Sequence, residues 1–556
     1  MRRCRSIVYV TAICLILAAP SALAAPPPEE ATEGRQPLTV RVNLLRSDQL
    51  VLDPAFSQNY TSWSVIEQLF LGLVDFDDET NVLQPELATE WTVSTDGLEY
   101  TFTLRTDAKW SDGTAVTAHD AAYSLLRTLD PATGAPWAWL FYFIKNGQAY
   151  NEGTITDPSQ VGVAAMDNSH LRIRLESRAS YALSILGHTA ARPLPQHVVQ
   201  TWGQGWTAPE NIVTNGPYLL SEWVPDSHLV FDKNPDYYDA ASVQIERIAA
   251  SRLDEEPAWQ RYVAGQLDTA LVPTGTQVDP SIQPQVHLQP RATTYYYGFS
   301  TAQAPFDNDL VRKAFCAAVD RQGLINTVFG GGPAQPALTL TAAGVYGHID
   351  GQTEGVGIRF DPTQAQQWLA DAGYAAGQGL PPITLWHPDS PGHQAVAQYV
   401  RQSWIDHLGV TVSLESLPWG FGSGQYLPFV NSGQAQVWRG GWTAGYNDAY
   451  DFLSGAVLES ASAFGGWLDP IYVDLLEQAA GESEPTARRD LYKQAEHRLV
   501  EDEAVVLPIY YYARWTAAKP YLQRTFPGFE APDLATWRML AHRILLPIIV
   551  RNYLQP

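Results

Sequence analysis

The segment from residue 439 to residue 448 concentrates side chains that could hold a ligand. Glycines at 440 and 441 would let another backbone approach closely, and Trp442 offers a flat apolar face. Arg439 and Asp448 carry opposite charges, which would suit either a zwitterionic ligand or each other. The segment therefore predicts one of two arrangements: a stretch of chain that meets an extended ligand, or an internal Arg–Asp pair beside a tight turn.

The sequence carries no known catalytic or metal-binding signature. The motifs His-Glu-x-x-His, Gly-x-x-x-x-Gly-Lys-Ser/Thr and Gly-x-Ser-x-Gly do not occur, and the 12 histidines are scattered, with no pair at metal-ligand spacing that carboxylates support. The formal net charge of −24 excludes a nucleic-acid partner, because such binding depends on Lys and Arg. These observations favour a binding protein that uses neither metal nor cofactor, with an exported hydrolase as a distant alternative.

The N-terminus resembles a secretory signal peptide. Three arginines among the first five residues precede an apolar run from 7 to 19, and Ala22-Leu23-Ala24 gives the small-x-small pattern of a cleavage site. We expect residues 1–24 to be removed and the Pro/Glu-rich leader 25–36 to be disordered. The protein is therefore expected in the periplasm or outside the cell.

Strand and helix patterns alternate along the rest of the chain. Such a mixture over this length predicts an α/β or α+β protein of two or three lobes. Period-two alternation predicts strands at 38–42, 100–104 and 170–175, and helical spacing predicts helices at 62–73, 118–129, 361–372, 393–408, 470–480 and 485–501. The apolar C-terminal tail, 539–556, is predicted to be either a terminal strand or an interfacial tail.

Several long motifs converge on one family. Gln84-Pro85-Glu86-Leu87-Ala88-Thr89-Glu90-Trp91 is followed by Asp96-Gly97-Leu98-Glu99-Tyr100 and then by Lys109-Trp110-Ser111-Asp112-Gly113-Thr114. Together they resemble the signature region of the extracytoplasmic solute-binding proteins of family 5, which serve ABC importers. The resemblance spans roughly residues 38 to 515, and it is strongest to the oligopeptide-binding branch.

The resemblance implies an α/β fold of the type II periplasmic-binding-protein kind. Two main lobes would surround a cleft, and a third, smaller lobe would be added to them. The ligand would lie between lobes I and III, which would close on it by a hinge. Lobe I would comprise 37–70, 191–292 and 513–556, lobe II would comprise 71–190, and lobe III would comprise 293–512.

The resemblance also implies the ligand contacts. Two short segments, around Asn59-Tyr60 and around Gly441-Trp442-Thr443, would pair with the backbone of a peptide, and aromatic residues would line the cleft. For each aromatic residue the alternative is ordinary core packing. The predicted ligand-binding residues are Arg439, Gly441, Trp442, Thr443, Gly445, Asn447, Asp448, Trp419, Asn59, Tyr60, Trp137, Tyr296 and Tyr512.

The chain departs from the oligopeptide-binding branch at two places. Those relatives carry an Asp, which pairs with the peptide α-ammonium, at the position of Gly445. Asp448 and Asp451 follow closely and are candidates to replace it. Thr293 and Thr443 stand where relatives have two bridged cysteines.

These departures leave two ligand hypotheses. In the first, the protein binds oligopeptides through a displaced amine anchor; in the second, it binds a neutral oligosaccharide or another small solute by stacking on its tryptophans. Arg439 would contact the ligand's carboxylate or backbone, or else form a buried bridge to an acidic residue. The expected partners are the ligand and ABC permease subunits in the membrane, with the protein itself a monomer.

Overall fold

The computed structural model describes residues 36–525, 527, 529 and 531–540. The predicted signal peptide, the predicted leader up to residue 35 and the C-terminal tail after Leu540 lie outside the described residues. The described residues from Leu38 onward belong to one compact unit. No helix in the described ranges is both long enough and apolar enough to cross a bilayer.

The strands of the described chain are short, apart from two long ones. They are β1 (Thr39–Leu45), β2 (Val74–Phe76), β3 (Leu83–Pro85), β4 (Ala88–Val93), β5 (Glu99–Leu104), β6 (Val163–Ala165), β7 (His170–Arg174), β8 (Tyr218–Val224), β9 (His228–Lys233), β10 (Arg247–Leu253), β11 (Thr269–Leu271), β12 (Val286–Phe299), β13 (Ala334–Pro336), β14 (Ile383–Pro388), β15 (Val412–Leu417), β16 (Val437–Thr443), β17 (Val506–Ala518), β18 (Leu522–Gln523) and β19 (Arg538–Met539).

Helices connect the strands on most crossovers. The α-helices are α1 (Tyr60–Leu69), α2 (Ala118–Leu129), α3 (Gly147–Asn151), α4 (Ala182–Leu186), α5 (Gln196–Trp202), α6 (Glu255–Val263), α7 (Asp309–Ala317), α8 (Arg321–Val328), α9 (Gly351–Glu354), α10 (Pro362–Asp371), α11 (Pro391–Leu408), α12 (Tyr426–Asn431), α13 (Pro470–Gly481) and α14 (Pro485–His497). Two segments, Asp451–Leu458 and Arg498–Asp502, are π-helical. Short 3₁₀ turns lie at Ala138–Phe141, Pro158–Gln160, Thr189–Ala191, Gly203–Gly205, Gln283–Gln285, Ala375–Gly377, Ala461–Phe464 and Leu534–Thr536.

Three larger sheets organise the described chain. One has the strand order β1-β10-β9-β8, and a second has the order β4-β5-β7-β6. The largest has the order β11-β17-β12-β16-β14-β15, with β13 added on β17. Separate apolar cores pack against these sheets, so the chain is divided into regions that each have a core of their own.

Local sequence accounts for most element boundaries. The predicted helix 118–129 is α2, which begins with a capping box formed by Thr117 and Asp120. The predicted helix 62–73 begins earlier and ends earlier, as α1, because Asn59 caps its first turn and the backbone of Phe70 is extended. The predicted helix 485–501 is α-helical only as far as His497 and continues as a π-helix.

Strands β12 and β17 run through more than one region. They pair antiparallel from Val286–Ala517 to Gly298–Val506, and the register is interrupted between Pro290 and Thr294. At one end β17 also pairs with β11, and along the other half β12 pairs with β16. The two strands therefore connect the two sides of the molecule, with an irregularity near the middle of their pairing. The lobe boundaries predicted from the sequence remain predictions.

Gly440 is required by the side chain on the neighbouring strand. It lies directly opposite Tyr296 of β12, and a Cβ atom at Gly440 would lie 2.2 Å from Cε2 of that ring. Sequence analysis interpreted the two glycines as places where another backbone approaches. At Gly440 the structure instead places the Tyr296 ring in that space.

We predict that Gly440→Ala lowers the free energy of unfolding by about 1–3 kcal/mol, because the added methyl group overpacks the Tyr296 ring. In a strand free of such contact the same change would be neutral or favourable, since glycine weakens a strand. The measurement is thermal or denaturant unfolding of both proteins. Gly392→Ala is the control, because its Cβ would meet no atom within 4 Å. Equal stability of the Gly440→Ala and wild-type proteins would contradict the packing argument.

Candidate functional site

A large cavity opens among the described residues. Its volume is about 1440 Å³, and it is lined by β1, α1, the middle of β12 and of β17, the loop after Phe329 and the end of β16. Pockets for drug-sized ligands occupy about 300–1,000 Å³, so this one has room for a longer ligand together with water. Of the predicted site residues, Asn59, Tyr60 and Thr443 line it.

The first lining segment is positioned by the start of α1. Asn59 caps the helix: its Oδ1 accepts from the N–H of Ser62 at 2.9 Å, and its Nδ2 donates to the carbonyl of Gln49 at 2.8 Å. Its side chain is therefore used by the fold. Tyr60 lies beneath Arg514, whose Cζ is 4.3 Å from the ring centroid. This cation–π contact fixes the ring in the cavity wall.

The second lining segment is the end of β16, which has an open edge. Strand β14 pairs only with Val437 and Trp438, so the rest of that edge has no strand partner among the described residues. The N–H of Ala444 donates to the Ala292 carbonyl on β12 at 2.8 Å. Because antiparallel pairing alternates, the backbone groups of Gly441 and Thr443 point to the open edge. An extended ligand could add there as a strand.

Thr293 and Thr443 occupy facing positions on β12 and β16, and their hydroxyl oxygens are 3.1 Å apart. Both line the cavity. The pair lies at the edge of the register interruption in β12. Two hydroxyls therefore connect the strands at the place where the resemblance implies a disulfide in relatives.

Two arginines that the sequence analysis did not select also line the cavity. Arg514 donates from Nε to Oε1 of Gln289 at 3.1 Å, and Arg291 lies near it. Burial, and then the charge of Arg514, lower the pKa of Arg291. No carboxylate in the described ranges forms an ion pair with either guanidinium. Two guanidinium groups therefore face the cavity of a strongly acidic chain, although its lining also contains the acids Asp48 and Glu255. Arg514 lies two residues after the predicted Tyr512, and Arg291 lies two residues before Thr293, which was noted only as the position of a cysteine in relatives.

Arg439 is largely enclosed by tyrosines. Its Nη2 donates to the hydroxyl of Tyr512 at 3.2 Å, and its Cζ lies 4.5 Å from the ring centroid of Tyr295. Within the described chain no acidic side chain pairs with it. Neither Arg439 nor Tyr512 lines the cavity, and Tyr296 is buried against Trp438. The buried bridge to an acid that was considered from the sequence is therefore not formed.

Asn447 and Asp448 fix the loop that follows β16. Asn447 is fully buried and exchanges hydrogen bonds with Asn81 at 2.6 and 3.0 Å. Asp448 is also fully buried, 3.2 Å from Nη2 of Arg488, and its Oδ1 accepts from the Tyr492 hydroxyl at 2.6 Å. Asp448 thus pairs with Arg488 and not with Arg439.

The predicted tryptophans lie around the cavity, not in its wall. Trp442 donates from Nε1 to Oδ2 of Asp451 at 3.0 Å, and Trp137 donates to the Ser57 carbonyl at 2.5 Å. Trp419 is 53% exposed and stacks on Tyr426. None of the three lines the cavity. Trp139, which the sequence analysis did not select, lies beside Gly445; its only sequence signal was its position two residues after Trp137.

Known proteins resemble this chain over nearly its whole length. The Escherichia coli periplasmic murein peptide-binding protein MppA is 33% identical over 507 residues, covering 90% of this chain and 92% of the relative. The probable deoxycholate-binding periplasmic protein YgiS of E. coli is 32% identical, covering 86% and 88%. The periplasmic oligopeptide-binding protein OppA of Salmonella typhimurium is 31% identical, covering 93% and 95%.

Solved structures show the same fold. The unliganded open form of MppA superposes with a TM-score of 0.80 at 30% identity, covering 91% of this chain and 98% of that one. A second MppA structure superposes with a TM-score of 0.65, covering 91% of this chain and 99% of that one. The prediction of an α/β periplasmic-binding-protein fold is confirmed. The profile of the bacterial extracellular solute-binding proteins, family 5 Middle, matches residues 82–464. The chain belongs to the bacterial extracellular solute-binding proteins of family 5.

Proposed function

We propose that this protein is the substrate-binding component of an ABC import system and that it captures oligopeptides in the cavity. It is exported by its signal peptide, acts as a monomer outside the cytoplasm, releases its ligand chemically unchanged and delivers it to permease subunits in the membrane. The named functions of MppA and OppA support this proposal. The alternative is a neutral oligosaccharide or another small solute in the same cavity.

The open edge of β16 is the observation that carries the peptide hypothesis. Gly441 and Thr443 present unpaired backbone groups there, and Thr443 lines the cavity opposite the segment that contains Tyr60. Backbone groups are what every peptide shares, whatever its side chains are. Pairing with them gives affinity without strict sequence preference. A sugar offers no matching row of N–H and C=O groups.

The charges of the cavity favour a ligand that carries a carboxylate. Arg291 and Arg514 line the wall, and neither has a carboxylate partner in the described ranges. A buried or half-buried cation of this kind gains most from an anion that arrives with the ligand. A peptide has a C-terminal carboxylate, whereas a neutral oligosaccharide has none.

Ligand binding is coupled to closure. The register interruption between Pro290 and Thr294 lies where β12 passes between the regions, and it is the natural place for the strands to bend. A ligand that contacts Tyr60 on one side and Thr443 on the other would bind the closed state better than the open one. Its binding therefore shifts the population toward closure.

Native mass spectrometry of the protein as purified tests this function directly. We expect bound masses that dissociate on denaturation and fragment as peptides. Masses spaced by hexose units would replace the proposal with the oligosaccharide alternative. A single non-peptide organic anion would point to a ligand of the kind named for YgiS.

We also predict that Thr443→Pro weakens peptide binding by up to about tenfold, because proline removes one N–H from the open edge. That N–H is not used by β12, so the fold should be retained. Thr443→Ala is the matched control, since it keeps the N–H and loses only the hydroxyl. The measurement is titration calorimetry with the peptides identified above. Equal affinities of the Pro and Ala variants would argue against backbone pairing at this edge.

A further inference from the structure

Arginines line the cavity along β12 and β17 and just beyond them. Arg291 lies two residues after Gln289 on β12, and Arg514 lies directly opposite Gln289 on β17. Alternate residues of one strand and facing residues of a pair share one side of a sheet, and all three side chains line the cavity. Arg524 lines it as well. A cavity in a chain of net charge −24 therefore has three guanidinium groups in its wall.

Arg514 uses only part of its guanidinium group within the fold. Its Nε donates to Oε1 of Gln289 at 3.1 Å, and its Cζ stands 4.3 Å from the ring centroid of Tyr60. Among the described residues, neither Nη1 nor Nη2 of Arg514 donates a hydrogen bond. A guanidinium carries its N–H donors in a planar fork that matches the two oxygens of a carboxylate. The Nη donors are therefore available to a ligand.

Arg291 is exposed, and within the part of the chain that the structure describes it forms no hydrogen bond and no ion pair. Partial burial and then the charge of Arg514 lower the pKa of Arg291, against smaller opposite effects of Tyr60, Tyr512 and Asp48. Two like charges near each other disfavour the charged form, and an anion placed between them removes that penalty. The pair is therefore arranged to receive a negative group.

Hydroxyl groups hold the third arginine in place. Nη1 of Arg524 donates to Oγ1 of Thr269 at 2.8 Å, and Nη2 donates to Oγ1 of Thr516 at 2.6 Å. Burial is the largest cause that lowers the pKa of Arg524, to about 10, and the charge of Arg514 acts in the same direction. The fixed charge of Arg524 therefore adds to the positive potential around Arg514.

Two acids also line the cavity. Oδ2 of Asp48 accepts from the Thr61 hydroxyl at 2.5 Å, and Glu255 lies in the first turn of α6. Neither acid forms an ion pair with Arg291 or Arg514 in the described ranges. The described lining thus contains three arginines and two acids, so an anion that arrives with the ligand would find donors that the protein itself leaves unused.

The arginines lie between the two segments that a peptide backbone would meet. Arg514 contacts Tyr60 of the first segment. Arg291 is two residues from Thr293, whose hydroxyl oxygen is 3.1 Å from that of Thr443 in the second segment. A peptide held by both segments would place its middle residues, not its ends, over the arginines. Because successive side chains of an extended chain point to opposite sides, one central side chain would point toward them.

We propose that Arg291 and Arg514 bind the carboxylate of an acidic side chain in the middle of the peptide, so that the cavity selects acidic oligopeptides. The inference rests on the proposed peptide-binding function and names the substrate class of the same site. The Nη groups of Arg514 form a paired contact with the two carboxylate oxygens, and Arg291 supplies the second cation. The C-terminal carboxylate of a peptide has the same chemistry, so the experiment separates these two sources.

The test uses ligand-stripped protein and two series of synthetic alanine pentapeptides. One series carries a single Glu at each position in turn, and the other carries a single Gln, which is similar in shape but uncharged. Each peptide is made with a free and with an amidated C-terminus. Affinities are measured by titration calorimetry for the wild type, Arg291→Gln, Arg514→Gln and Arg261→Gln. Arg261 is the control, because it is exposed and does not line the cavity.

We expect the wild type to prefer Glu to Gln at a central position by about tenfold or more, which is the gain expected for a charge-assisted contact. The preference should hold with either C-terminus. Arg291→Gln and Arg514→Gln should reduce it, and Arg261→Gln should keep it. The ratio is compared within each variant, so a general loss of affinity does not affect it. If Arg514→Gln fails to fold, Arg291→Gln decides, because Arg291 forms no hydrogen bond or ion pair among the described residues.

Four results would overturn a proposal. Equal affinity for Glu and Gln at every position would exclude the side-chain contact and leave peptide binding intact. Weaker binding on amidation, with no Glu preference, would assign the arginines to the terminal carboxylate instead. A Glu preference that persists in both arginine variants would exclude these two residues. Failure to bind any peptide of either series would count against the proposed function itself.

Salt dependence provides a readout that a structural role would not move. Raising the NaCl concentration from about 50 mM to about 500 mM should reduce the Glu/Gln affinity ratio of the wild type by about threefold, because counter-ions screen the contact. The ratio of Arg291→Gln should change less. A wild-type ratio that does not depend on salt would contradict recognition of the side chain by charge.

Discussion

Strands β12 and β17 are paired from Val286–Ala517 at one end to Gly298–Val506 at the other. The other strands of the largest sheet are attached to this pair, directly or through a neighbouring strand. Strand β17 pairs with β11, which lies against β1 of the first sheet, and β12 pairs with β16, whose other edge is open beyond Trp438 among the described residues. The register shifts between Pro290 and Thr294 and again between Tyr295 and Tyr296. The cavity and its open edge both depend on this one ladder of hydrogen bonds, because β12 and β17 line the cavity and β12 holds β16 in place.

The same ladder explains why residues near the cavity have unequal roles. Alternation along β12 sends Tyr296 into the core against Trp438 and leaves Thr293 at the cavity. Along β16 it covers one set of backbone groups with β12 and leaves Gly441 and Thr443 free on the other side. One edge of β16 therefore pairs within the fold, while its other edge stays available for pairing with a ligand.

Some charged side chains at the cavity are opposite in sign to the net charge of the chain. The net charge is −24, yet Arg291 and Arg514 line the cavity without an acidic partner in the described ranges. After β16 the sign reverses: Asp451 is buried, and among the described residues no Lys, Arg or His forms an ion pair with it.

The sequence by itself predicted export and determined the family and most elements, because signal-peptide composition, ordered motifs and local periodicity are properties of neighbouring residues. Helix 118–129 and strand 100–104 were identified from their patterns alone. Of the residues that it selected as ligand contacts, Asn59, Tyr60 and Thr443 line one cavity, and their contact with a ligand stays a prediction. Only the tertiary structure decided how the charges pair: Asp448 with Arg488, Arg439 among tyrosines, and Asp451 with no Lys, Arg or His of the described residues. Those partners are far apart in sequence or on different elements, and no local pattern encodes which of two nearby aspartates pairs with a cation.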